Sequence, residues 1–172
     1  PLRYGENPHQ KGYFVGDLDV LFDKIQGKEL SYNNLLDVDS AVALLGEFPA
    51  NEGATFIIVK HNNACGLAQR STVLEAWKTA LECDPISAFG GILACNHPID
   101  LETASEINSL FFEVLIAPDY APEALELLAG KNNRIILKSK NLSQLGNLTK
   151  RSALNGELLQ ERDNSPESRK MM

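Results

Sequence analysis

Ala54-Thr55-Phe56-Ile57-Ile58-Val59-Lys60-His61-Asn62-Asn63-Ala64-Cys65-Gly66 carries the reading that decides the fold. The run from Ala54 to Val59, with two isoleucines and a valine, reads as a strand buried on both faces. It leads straight into Lys60-His61 and then into a turn at Asn62-Asn63. A charge at the end of a buried strand needs a partner, and a bound anion is one candidate.

The pattern alternates outward from this strand. Downstream, Thr72 and Glu75 form a capping-box pattern for a helix through Glu82, and Asp84-Pro85 breaks it. Phe89 to Ala94 reads as the next strand, and Asp100 caps a helix through Phe112. Val114 to Ala117 is a strand ended by Pro118. Pro122 opens a helix to Leu128, and Arg134 to Leu137 is a further strand. Upstream, Leu35, Val38, Val42, Leu45 and Phe48 have helical spacing, stopped by Pro49. Gly12 to Val15 and Val20 to Ile25 read as two strands joined by a tight turn at Gly16-Asp17. Residues 1–11 form an N-terminal arm. After Ser139 the pattern weakens, and Ser152 to Gln160 reads as one more strand or an irregular arm. Strands alternating with helices give an α/β fold, a three-layer α/β/α sandwich with a mixed, mostly parallel sheet. Residues 164–172 read as a disordered tail.

Composition narrows the function classes. The chain has 172 residues, 44% hydrophobic and 23% charged, with a net charge of −7. Such a charge argues against a general nucleic-acid or anionic-membrane binder, though not against a local basic pocket. No apolar run approaches the ~20 residues of a spanning helix. Cys65, Cys83 and Cys95 are odd in number and lack C-x-x-C spacing, as expected of reduced thiols in the cytoplasm. His61 and Cys65 lack two further ligands for zinc, so no metal is expected. The chain starts at Pro1 without an initiator Met and reads as a processed or excised piece.

Four stretches could carry chemistry. In Lys60-His61, histidine is the usual acid/base near neutral pH, and lysine is a compact cation suited to a developing oxyanion. A solvated lysine beside a carbonyl-bonded histidine is the plainer reading. Adjacent side chains on a regular strand point to opposite faces, so the pair converges only if the strand ends here. Ser87-Ala88-Phe89-Gly90-Gly91 allows close approach of a ligand, or is simply a bend. Arg3 offers a planar fork to carboxylate or phosphate, and Tyr4 a stacking face. Asn33 or Asn34 either caps the following helix or contacts a ligand at its N-terminus.

The order of these blocks resembles that in a known family. Leu-Arg-Tyr-Gly-Glu-Asn-Pro-His-Gln at 2–10 is followed by Lys-Glu-Leu-Ser-Tyr-Asn-Asn-Leu-Leu-Asp at 28–37. Then come Val-Lys-His-Asn-Asn-Ala-Cys-Gly at 59–66, Asp-Pro-Ile-Ser-Ala-Phe-Gly-Gly-Ile at 84–92 and Glu-Val-Leu-Ile-Ala-Pro at 113–118. Together they resemble the first half of the transformylase domain in bifunctional purine-biosynthesis enzymes, the aminoimidazole carboxamide ribonucleotide (AICAR) transformylase/IMP cyclohydrolase family. The resemblance implies that residues 1–163 are the first of two cytidine-deaminase-like subdomains. It implies formyl transfer from the co-substrate 10-formyltetrahydrofolate to the 5-amino group of AICAR, in a cytoplasmic homodimer. On this resemblance Lys60 and His61 are catalytic, and Arg3, Tyr4, Asn34, His61, Gly90 and Glu113 hold the nucleotide. Some members carry Asp where Glu113 stands, so the carboxylate is displaced here. The deaminase zinc signature H-x-E with P-C-x-x-C is absent. The family builds its site from a second subdomain and a dimer mate, so this chain alone is expected to be inactive.

Two other readings compete. A non-catalytic small-molecule binding domain would use Arg3, Asn34 and the Gly90 loop, and would bind both substrates without turnover. A Lys60 Schiff-base enzyme would be trapped by borohydride.

Overall fold

Ser31 ends an extended lead-in and starts the first long helix. The computed structural model describes residues 1–140, 142 and 148–162. The chain divides into two compact units, with the division after Leu142.

The first unit holds a six-stranded sheet. β1 (Phe22–Gln26) is an edge strand, antiparallel to β6 (Ile135–Ser139). Then follow β5 (Val114–Ala117), β4 (Ile92–Cys95), β2 (Ala54–Lys60) and, at the far edge, β3 (Asn63–Arg70). β4, β5 and β6 are mutually parallel, and β2 is antiparallel to both β3 and β4. Four of the six strands, β3 to β6, therefore run one way, as expected of a mixed, mostly parallel sheet.

Helices cover both faces. α1 (Tyr32–Leu45) packs on β2 and β4 through Val38, Ala41, Val42 and Leu45. On the other face lie α2 (Val73–Cys83), α3 (Leu101–Asn108) and α4 (Pro122–Ala129), in contact in that order. Strand residues divide between the faces with period two. Phe56, Ile58, Leu93, Cys95, Leu115 and Ile136 join the core under α2, α3 and α4, and Ile57 and Ala94, their in-register neighbours, face away from it. Phe56 meets Trp77 edge-on at 5.0 Å, and both side chains are fully buried.

The helix starts follow local hydrogen bonding. Ser31 and Asn34 complete a full capping box on α1. Thr72 accepts from the Glu75 amide and Asp100 from the Thr103 amide. Pro122 opens α4, where its missing N–H costs nothing.

Several boundaries differ from the sequence reading. No strand forms at residues 12–15, because Tyr13 and Val15 are 64% and 96% exposed and nothing buries that run. A single 3₁₀ turn, Leu18–Val20, precedes β1 instead. β4 starts at Ile92 rather than Phe89, since Gly90 takes a positive φ of 75°. β3 had no expected counterpart. Its small residues are dictated by α2: a Cβ on Gly66 would sit 2.2 Å from the Ala80 carbonyl oxygen.

The second unit is described by β7 (Leu148–Ala153) and β8 (Gly156–Glu161), an antiparallel hairpin turning at Leu154 with φ 53°. The sequence reading merged it into one strand or an arm at 152–160. The expected tail at 164–172 lies outside the described residues.

Burial pushes the Cys95 thiol from 9.0 up to about 12. Between those values the unfolded chain releases a proton that the folded chain keeps, so stability falls as pH rises above about 9. Denaturant titrations from pH 8 to 11 will show this loss, and Cys95→Ala will flatten the slope. With an aromatic disulfide reagent, exposed Cys83 will react first and Cys95 only upon unfolding.

Candidate functional site

The sheet register builds a row of residues along one end of the sheet. Val59 pairs with Ile92, Ile92 with Val114, and Val114 with Ile135. One residue outward from this row stand Lys60, Gly91, Glu113 and Arg134. Because β2 runs against its neighbours, its carboxyl end meets the amino ends of β4, β5 and β6. In open parallel sheets ligands sit beyond the carboxyl ends of the strands. Here that holds for β2 and is reversed for the parallel trio.

Lys60 is the last residue of β2, and its Nζ donates to the Phe89 carbonyl at 2.6 Å. That bond ties the ammonium to the loop between α2 and β4. The loop is wound by backbone bonds from Ala88 to Asp84 and from Gly91 to Ala88, and the Asp84 carboxylate accepts from the Ser87 amide at 2.9 Å. Hydrogen bonds from Ser87 hold Asp84 below the usual carboxylate range, and the Lys60 charge adds to this.

The strand does end at Lys60. His61 and Asn62 follow with φ of 50° and 64°, between the paired residues Lys60 and Asn63. A two-residue hairpin loop with both φ values positive is a type I′ turn. The His61 imidazole is exposed and has no hydrogen-bond partner among the described residues; its carbonyl accepts from Asn63 Nδ2 at 2.9 Å. α1 reaches this turn: the Asn62 amide donates to Asp37 Oδ1 at 2.6 Å, and Ser40 Oγ bonds Asn62 Oδ1.

Gly90 donates its amide to the Phe111 carbonyl at 2.8 Å, and the Glu113 amide donates to the Gly91 carbonyl at 3.0 Å. Phe89 and Phe111 lie 5.3 Å apart between ring centroids, and Phe89 is exposed. Glu113 pairs with Lys28 at 2.7 Å, each side chain about three-tenths exposed. Lys28 opens the 28–37 block, but nothing local in the sequence connects it to Glu113, and only the fold brings the two together.

Arg134 closes the row. It is fully buried, yet has no carboxylate partner among the described residues. Its guanidinium donates to Asn108 Oδ1 and the carbonyls of Asn108 and Leu110, at the carboxyl end of α3, and lies over the Phe112 ring at 4.3 Å. Those carbonyls carry the negative end of the helix dipole and offset part of the desolvation. Burial still pushes the guanidinium below its ordinary value.

Asn34 is buried, and its Oδ1 accepts from the Ser31 amide at 3.1 Å. The N-cap is Ser31, rather than Asn33 or Asn34; Asn34 is its partner in the third helical position. Asn33 Nδ2 instead donates to the Glu6 carbonyl at 3.0 Å. That bond and the one from the Tyr32 amide to the Tyr4 carbonyl lay the N-terminal arm beside the start of α1. On the arm, Arg3 Nη2 donates to Tyr4 Oη at 2.6 Å, with the guanidinium carbon 4.6 Å from the ring centroid. Direct contacts thus link Lys60 to the Gly90 loop, that loop to the Glu113 backbone, and Asn62 to α1. Arg3 and Tyr4 join through main-chain bonds, from the Arg3 amide to the Leu30 carbonyl just before α1 and from the Tyr32 amide to the Tyr4 carbonyl.

Among the described residues no group of three or more His, Cys, Asp or Glu side chains could hold a metal ion. No described helix is long and apolar enough to cross a membrane.

The AICARFT/IMPCHase bienzyme family model matches residues 1–172. A Bacteroides thetaiotaomicron protein named bifunctional purine biosynthesis protein PurH is 60% identical over 94% of this chain and 31% of its own length. Proteins of the same name from Chloroflexus aurantiacus and Aquifex aeolicus are 46% and 47% identical, over 96% and 94% of the chain. The chain spans about a third of the length of these curated relatives.

Asn34→Ala will remove one half of the capping box and cost about 1 kcal/mol in denaturant unfolding of this chain. Asn34→Asp, which keeps the acceptor, will recover most of the loss. Gly90→Ala will cost about 1 kcal/mol, because its backbone is held at positive φ.

Proposed function

The chain belongs to the AICARFT/IMPCHase bienzyme family, and from that premise we propose that it supplies the catalytic pair for formyl transfer in purine biosynthesis. The single observation that carries the reading is the meeting of Lys60, the His61 turn, the Gly90 loop and Glu113 at one end of the sheet. The substrates are AICAR and 10-formyltetrahydrofolate, and no metal is required. Residues 1–163 belong to the first of two cytidine-deaminase-like subdomains. The three free thiols fit a cytoplasmic protein. The second subdomain and a homodimer mate complete the site.

The AICAR amine is a poor nucleophile, because its lone pair is delocalised towards the neighbouring carboxamide. Attack on the formyl carbon makes that nitrogen acidic and puts negative charge on the formyl oxygen. His61 takes the amine proton, a task suited to an imidazole with no hydrogen bond of its own. Lys60 stabilises the oxyanion; one of its three N–H donors is held by the Phe89 carbonyl, leaving two for substrate. The carbon–nitrogen bond to N10 of the folate then breaks, N10 takes up a proton, and tetrahydrofolate leaves. Arg3 and Tyr4 suit the phosphate and base of the nucleotide, and Gly90 allows its close approach. Glu113 suits a ribose hydroxyl, with Lys28 fixing the carboxylate. Asn34 serves this site through the start of α1, since its Oδ1 is committed to the cap.

The test uses the longest gene product that contains this chain, assayed with AICAR and 10-formyltetrahydrofolate. His61→Ala will lower kcat by ~10²–10⁴-fold, and Lys60→Ala by ~10²–10³-fold. Nucleotide affinity will change much less than kcat for Lys60→Ala. If both variants keep kcat within a few-fold of wild type, the roles are wrong. Binding of both substrates without turnover in the longest product would favour a binding domain. The 172-residue chain alone will show no measurable turnover.

A further inference from the structure

The turn that carries His61 is not one its own sequence favours. Type I′ loops prefer Asn-Gly, because both central residues occupy left-handed backbone that side chains resist. Here the two residues are His61 and Asn62, at φ 50° and 64°, and neither is glycine. Such a conformation persists where surrounding contacts over-determine it. The contacts come from α1. In a two-residue hairpin loop, the ladder runs between the flanking pair, here Lys60 and Asn63, so the Asn62 amide needs a partner elsewhere. Asp37 Oδ1 supplies it at 2.6 Å, a charge-assisted bond to backbone. Three residues further along the same helix face, Ser40 Oγ bonds Asn62 Oδ1.

Both contacts fall on one residue, and that residue is the neighbour of the imidazole. α1 is itself fixed by its Ser31–Asn34 capping box and by packing on β2 and β4. We infer that Asp37 is a positioning residue: it holds the 61–62 turn against α1 and so fixes the imidazole of His61 for proton transfer. The inference rests on the catalytic role of His61 proposed above. Asp37 touches no reacting atom; it acts through the backbone of Asn62. Its action demands an acceptor oxygen at that position rather than a negative charge as such.

The acceptor requirement makes the test specific. In the longest gene product, Asp37→Ala will lower kcat by about 10- to 10²-fold, the scale of a misplaced catalytic group. KM for the nucleotide will stay within a few-fold. Asp37→Asn, which keeps Oδ1, will recover most of kcat. Asn62→Gly relieves the left-handed strain, so Asp37→Ala in that background will cost measurably less than in the native turn. A residue that merely stabilised α1 would give independent effects and no rescue by asparagine. In the 172-residue chain, the His61 ring resonances will shift in Asp37→Ala and return towards native in Asp37→Asn. Should His61→Ala collapse turnover while Asp37→Ala leaves kcat and the resonances native, the inference fails and the catalytic reading stands. Should His61→Ala leave turnover intact, the catalytic reading fails, and with it the purpose assigned to Asp37. The resonances would then report only whether Asp37 holds the turn.

Discussion

The rest of the structure depends on the antiparallel seating of β2 between β3 and β4. The backbone ladder fixes Val59 opposite Ile92, and the parallel ladders carry that row on to Val114 and Ile135. The lead-ins to three other strands thereby share one edge with Lys60. A parallel β2 would have sent Lys60 and His61 to the opposite edge, beside Asn96 and Pro118. The ladder is locked by packing as well as by hydrogen bonds. Slipping β2 by one residue would exchange Phe56 and Ile58 for Ile57 and Val59 under α2, and the fit against Trp77 would be lost.

Much of this architecture was legible along the chain, and the illegible parts have definite causes. Apolar periodicity, Pro49, Pro118 and the capping residues located α1 to α4 and β2, β5 and β6 to within a few residues. Strand direction was not legible, because a uniformly apolar run looks the same in either sense. β3 escaped because α2 presses on it: Cys65, Gly66 and Ala68 leave no bulky alternation to read. The opposite error at 12–15 has the opposite cause. Tyr13, Phe14 and Val15 have strand propensity but stay exposed, and propensity without burial does not make a strand.

The site divides in the same way. Lys60-His61 could be picked out because a lysine and a histidine at the end of a buried strand are conspicuous in sequence. The contacts around it could not. The partner of Glu113 is Lys28, and the partners of Asn62 are Asp37 and Ser40; every one is set by tertiary register rather than by local pattern. Asn34 shows how one residue can satisfy two sequence readings at once. It stands at the start of α1, where a ligand could be met, and its oxygen is already taken by Ser31.

The anchor of Lys60 is a peptide carbonyl, that of Phe89, and no side chain. Every amino acid carries that oxygen, so exchanging Phe89 for another residue leaves the acceptor in place. What the arrangement cannot tolerate is a change in the path of the main chain between Asp84 and Gly91. Insertions and deletions there would move the acceptor away. So would side chains at Gly90, with its left-handed φ, or at Gly91, where a Cβ would crowd the Val59 carbonyl oxygen at 3.0 Å. This loop is therefore free to vary in side chains at its tip and confined in length and in its glycines, and an evolving sequence would record that difference.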